Sequence, residues 1–122
     1  MEWTISFLPN HRIIIIQTHG IADEASSREM AKSISKTMAE HKLSRCLIDH
    51  TMINSVSGSV LEIYNRPQEL HQIGVSPIIK IAEVVHPAHK DHFSFLETVC
   101  INNGFDFRIF DGQESALRWL TE

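Results

Sequence analysis

At roughly 100–200 residues per domain, a chain of 122 residues makes one domain, with no room for two lobes around a cleft. Apolar residues make up 43% and charged residues 21%, ordinary globular usage that argues against disorder over most of the length. Eleven Lys and Arg stand against fifteen Asp and Glu, and the net charge of −4 is the wrong sign for holding a phosphate backbone, so no nucleic-acid partner is expected.

In chain order, residues 2–8 alternate, with Trp3, Ile5 and Phe7 on one face and Glu2, Thr4 and Ser6 on the other, the period of a half-buried strand. Pro9-Asn10 reads as a turn. Residues 11–19 contain four consecutive isoleucines, which suit a strand buried on both faces, and Gly20 closes it. Over 23–41, Met30, Ile34 and Met38 recur every fourth residue and Ser26 to Glu29 offers a capping box, predicting the first helix. Residues 44–51 hold Cys46-Leu47-Ile48 and then Asp49-His50, a short parallel strand with a polar end. Between 55 and 74 the pattern predicts a helix over 57–65 and a second short one through Leu70, because Pro67 removes a backbone donor. Residues 78–85 predict a strand whose only charges are Lys80 and Glu83. Over 87–103 the spacing predicts a helix opened by Pro87, striped by Phe93, Leu96 and Cys100, and capped by Asn103-Gly104. A last strand over 105–110 and a last helix over 112–120, apolar at Ala116, Leu117, Trp119 and Leu120, complete the order.

The implied architecture is a single α/β domain over 1–122. It has a mixed, mostly parallel five-stranded sheet opened by an antiparallel hairpin, with four or five helices. Right-handed crossovers would place the connecting helices on one face and leave the other thinly covered, by hairpin side chains and one terminal helix. Trp3, Ile5 and Phe7 on such an uncovered face would invite a partner. The start of the chain lacks a basic segment followed by an apolar one, so no export signal is read, and residues 13–16 are far short of the ~20 needed to span a bilayer. Cys46 and Cys100 have apolar neighbours and read as buried free thiols, which implies a reducing, cytoplasmic setting.

Four stretches of the last 45 residues carry a family resemblance: Ile79-Lys80-Ile81-Ala82-Glu83-Val84-Val85, Phe95-Leu96-Glu97-Thr98-Val99-Cys100, Asn103-Gly104-Phe105-Asp106-Phe107-Arg108-Ile109-Phe110 and Glu114-Ser115-Ala116-Leu117-Arg118-Trp119-Leu120. The chain resembles small bacterial proteins of the SpoIIAA-like type, related in fold to STAS domains and to the lipid-binding lobe of Sec14-like proteins. In STAS-type antagonists a phosphorylatable Ser stands directly before a Gly at the start of the helix after the third strand, following an Asp-Ser pair. The similar residues here are Ser57-Gly58, with Ser55-Val56 where Asp-Ser is expected. The resemblance thus makes Ser57 the candidate phosphoacceptor, whereas the residues by themselves make it a helix N-cap.

Ligands of open α/β sheets bind beyond the carboxyl ends of the parallel strands. The groups there are His19, Asp49, His50, His86 and Asp111, which form the candidate binding rim, able in principle to hold a metal or an acid–base pair. Strand-end Asp and His also commonly cap the next helix. His86, His89 and His92 are the densest histidine cluster, but they lack a third ligand or the Glu base of an H-E-x-x-H site and read as a solvated helix start. No G-x-G-x-x-G, Walker loop or G-x-S-x-G elbow occurs, so no catalytic residue, cofactor or metal is expected. Phe93, Phe95, Phe105, Phe107, Phe110 and Trp119 read as core, or as the lining of a lipid pocket.

Three functions follow. The first is a non-enzymatic regulatory or protein-interaction module that self-associates as a dimer. The second is a carrier of a small apolar, lipid-like ligand. The third is a hydrolase or metal-dependent enzyme at the His19, His50, His86 and Asp111 rim. Module and carrier are separated by whether residues 55–75 close over an apolar cavity.

Overall fold

The computed structural model describes all 122 residues. Its strands are β1 (Glu2–Leu8), β2 (Ile13–Ala22), β3 (Arg45–Asp49), β4 (Ile53–Val56), β5 (Lys80–Val84) and β6 (Asp106–Phe110), and its helices are α1 (Glu24–His41), α2 (Val60–Ile73), α3 (Lys90–Asn102) and α4 (Gln113–Leu120). The sheet runs β1-β2-β3-β5-β6, antiparallel between β1 and β2 and parallel elsewhere. This is the α/β architecture expected, with six strands where five were read.

The additional strand is β4. Gly20, at φ +89°, hosts a bulge that lets β2 continue to Ala22 instead of stopping, and the extension pairs in parallel with β4. Pro67 also behaves differently from expectation: α2 runs through it as one helix. The proline is buried, and the packing of that face outweighs the backbone hydrogen bond it forgoes. The caps differ in detail as well. Asp23, not the Ser26 to Glu29 box, caps α1 by accepting from the Ser26 amide at 2.8 Å and hydroxyl at 2.7 Å. Ser59, not Ser57, caps α2 in a reciprocal capping box with Glu62. Pro87 opens a short 3₁₀ turn, and α3 follows from Lys90.

Strand side chains alternate between two layers. Ile14, Ile16, Cys46, Ile48, Ile81 and Phe107 belong to a core of twenty buried residues shared with α1, α2 and α3. Ile13, Leu47, Ala82 and Val84 form a six-residue core with Ala116 and Leu120 of α4. The thin face is therefore sealed by α4 alone, pinned by Lys80 Nζ donating to the Trp119 carbonyl at 2.6 Å. Trp3 and Ile5 pack into the larger core, and Phe7 sits against His41 of α1 at a ring separation of 4.7 Å. The hairpin's aromatic face is thus turned to the helices, correcting the expectation of an uncovered sheet face.

Candidate functional site

The alternation that builds the two cores also sorts the polar groups at the strand ends. Asp49 shares the face of Leu47, and its carboxylate accepts from the Thr51 amide (2.9 Å), the Thr51 hydroxyl (2.6 Å) and Gln113 Nε2 of α4 (3.0 Å). With three donors in place it is a clamp between β3 and α4. His50, one residue on, shares the face of Cys46 and Ile48 and lies buried under α3, stacked on Phe93 at 4.9 Å. Neighbours in sequence thus point into different layers. His19 Nδ1 lies 2.8 Å from the Thr18 carbonyl, His86 Nδ1 accepts from the Ala88 amide at 3.0 Å, and Asp111 is exposed. The structure therefore spreads the five rim candidates over two layers and separate loops, and no three His, Cys, Asp or Glu side chains converge as a metal-holding group.

What does converge is a row on the three-helix side: Thr18 of β2, His50 after β3 and Glu83 of β5, all buried. The Thr18 hydroxyl lies 3.1 Å from the Asp49 carbonyl and 2.8 Å from His50 Nδ1, and its single proton serves one of the two, so these contacts orient the imidazole. This turns His50 Nε2 towards Glu83 Oε1 at 3.5 Å, with the two side chains 4% and 7% exposed. At 3.5 Å the contact is longer than a charge-assisted hydrogen bond, and Glu83 Oε1 has no hydrogen-bond partner.

His50 and Glu83 of this row face a cavity of about 90 Å³ between the sheet and α1, α2 and α3. Its walls are mainly apolar, with Ile34, Met38, Ile48 and Ile81 among them, and its polar end comprises His50, Glu83, Arg66, Glu69 and His92. The segment 55–75 contributes Ser57, Arg66, Glu69, Leu70, Ile73 and Val75, so α2 and its flanks form one wall of this partly open cavity. Arg66 Nε lies 3.7 Å from Glu69 Oε2, and neither atom has a hydrogen-bond partner. Burial holds the His92 imidazole below its ordinary range, helped by the positive Arg66. Cys46 and Cys100 also line the cavity; burial first, and the Glu83 charge second, push both thiols up, Cys100 to about 12.

No family model and no curated protein matches the sequence. Solved structures do. An uncharacterised protein with a SpoIIAA-like fold from Shewanella loihica PV-4 superposes over 98% of this chain and 92% of its own, with a TM-score of 0.62 and 15% identity. The anti-sigma factor antagonist SpoIIAA in its unphosphorylated form covers 96% of this chain and 94% of its own, with a TM-score of 0.55 and 14% identity. This chain has the SpoIIAA-like, STAS-type fold. An anti-sigma factor antagonist from Mycobacterium paratuberculosis aligns over 99% of this chain and 94% of its own, at a TM-score of 0.66 and 10% identity. Identities this low speak to the path of the backbone and not to the side chains of the cavity.

Sequence reasoning passed over Glu83 as one of two charges in a strand. The signal was present: Glu83 lies two residues from both Ile81 and Val85, so a period of two places its carboxylate on their core-facing side.

Proposed function

We propose that the protein is a non-enzymatic regulatory module that acts by binding protein, docking through the first turns of α2, with a second copy of the chain as its first partner. One observation supports this reading above others. Val60, Leu61 and Tyr64 are 71%, 65% and 63% exposed and adjoin one another on one helical face. A single exposed leucine is ordinary, whereas three large apolar groups on one face form a patch that favours a partner. Ile63 and Pro67 bury the adjoining side of the helix, so the patch is presented on a fixed support. The solved neighbours named as anti-sigma factor antagonists accord with a regulatory protein-binding role. Buried, unactivated thiols suit a reducing cytoplasm.

Ser57 is the proposed phosphoacceptor in this scheme. It is exposed in the loop before Ser59, and the Glu62 carboxylate already accepts from the Ser59 amide at 3.1 Å. A phosphate would add about −1.5 to −2 charge beside that carboxylate and beside the apolar face, opposing docking through repulsion and desolvation. Sedimentation velocity over a wide concentration range tests the reading. The expected result is reversible association that Leu61→Asp abolishes and Ser57→Asp weakens. A monomer at every concentration would contradict self-association.

A further inference from the structure

The cavity behind α2 has a polar end that a sealed core would not keep. Glu83 is more than nine-tenths buried, faces the cavity, and holds an oxygen with no hydrogen-bond partner. The His50 Nε2 contact at 3.5 Å is too long to satisfy that oxygen, an unsatisfied buried acceptor is costly, and the missing element is a closer donor. We propose that this cavity is a binding site for a small, electrically neutral amphiphile, an aliphatic alcohol or amide whose O–H or N–H donates to Glu83 and whose chain lies along Ile34, Met38 and Ile81.

Charge balance selects the neutral head group. His50 Nε2 lies 3.5 Å from Glu83, Arg66 faces Glu69 at 3.7 Å, and Arg28 is held by Glu24 at 2.8 Å and Glu69 at 3.6 Å, so each charged side chain at this end already has an opposite neighbour. An ammonium entering here would meet Arg66, Arg28 and the His50 side of the pair. A carboxylate would meet Glu83 and Glu69. A neutral donor satisfies Glu83 Oε1 without unbalancing either arrangement, and the hydroxyl or amide oxygen can accept from a group at the same end.

Size limits the tail. The volume of about 90 Å³ is smaller than the roughly 150 Å³ of an engineered apolar cavity that binds benzene, so only a short chain fits. Water alone fits poorly, because sixteen of the twenty-five lining residues are hydrophobic and each buried water wants 2–4 polar partners. The site is independent of the docking patch, since Val60, Leu61 and Tyr64 are not among the cavity's lining residues.

The test is NMR of the isoleucine and methionine methyl groups, titrated separately with 1-butanol, butanamide, butylammonium and butyrate. The expected result is saturable shifts at Ile34, Met38 and Ile81 with the two neutral probes, and at least tenfold weaker binding of the two charged ones. Glu83→Gln replaces a charge-assisted bond by a neutral one and should weaken 1-butanol about tenfold. Ala31→Phe, on the α1 wall of the cavity, should block the same shifts while leaving Glu83 intact, and serves if Glu83→Gln fails to fold. The proposal is overturned if the wild-type protein shows no saturable shift, if either charged probe binds as well as 1-butanol, if folded Glu83→Gln binds it unchanged, or if folded Ala31→Phe does.

Discussion

Replacing His50 by Ala should be among the most damaging single changes this domain can suffer, although His50 lies in no catalytic motif. The imidazole sits 3.5 Å from Glu83 with both side chains almost fully buried, so its removal strands a carboxylate in an apolar environment. Breaking one half of a buried pair costs about 3–5 kcal/mol. The long separation argues for the low end on the ion-pair component, but Thr18 also loses a contact at 2.8 Å and Phe93 loses its stacked ring, each worth about 1 kcal/mol. Against a typical total of about 5–15 kcal/mol, a loss of about 4 leaves a marginal domain. Urea unfolding followed by fluorescence of Trp3 and Trp119 measures it: with an m-value of about 2 kcal/mol/M, the midpoint should fall by about 2 M at unchanged slope. His50→Phe combined with Glu83→Leu removes both polar partners and should recover most of the loss, because a buried pair is often replaceable by apolar groups. A loss below about 1 kcal/mol in His50→Ala, or a double variant as unstable as the single one, would refute the reasoning.

Ser59→Ala should cost about 1 kcal/mol in the same assay and Ser57→Ala almost nothing, since only Ser59 closes the capping box with Glu62. His92 is held below its ordinary value, so the unfolded chain binds a proton that the native state resists; its contribution is whole above about pH 6.5 and is lost as pH falls below that. His92→Gln should therefore flatten the acid side of the stability profile between about pH 6.5 and 5, and an unchanged slope would count against the assignment. Cys46 and Cys100, buried and pushed up in pKa, should resist Ellman's reagent in the native protein and both react in denaturant; fast native labelling of either would contradict their burial.

The elements that sequence revealed are those whose own side chains carry the period. Met30, Ile34 and Met38 mark the buried stripe of α1, and the isoleucine run marks β2, because burial imposes that spacing on residues adjacent in the chain. β4 was illegible for the opposite reason: Ile53-Asn54-Ser55-Val56 is short and half polar, and it is a strand only because Gly20 lets β2 extend to meet it. Pro67 misled because a local rule about backbone donors gave way to burial of the proline. The rim hypothesis placed His50 correctly at a strand end but assumed that strand ends face a common crevice. Period-two alternation instead sends Asp49 to α4 and His50 to α3, and the partners His50 meets there, Thr18 and Glu83, come from two other strands whose register no single sequence displays.

The central claim, that the start of α2 is a protein-docking face, is tested most directly by site-specific photo-crosslinking in the living host. A photoreactive residue is placed at Tyr64 and, as a control, at Ser115, which is exposed on α4. The account predicts a discrete adduct from position 64, with a second copy of the chain identified in it by mass spectrometry, and none from position 115. No adduct at 64, or equal adducts at both positions, would contradict it.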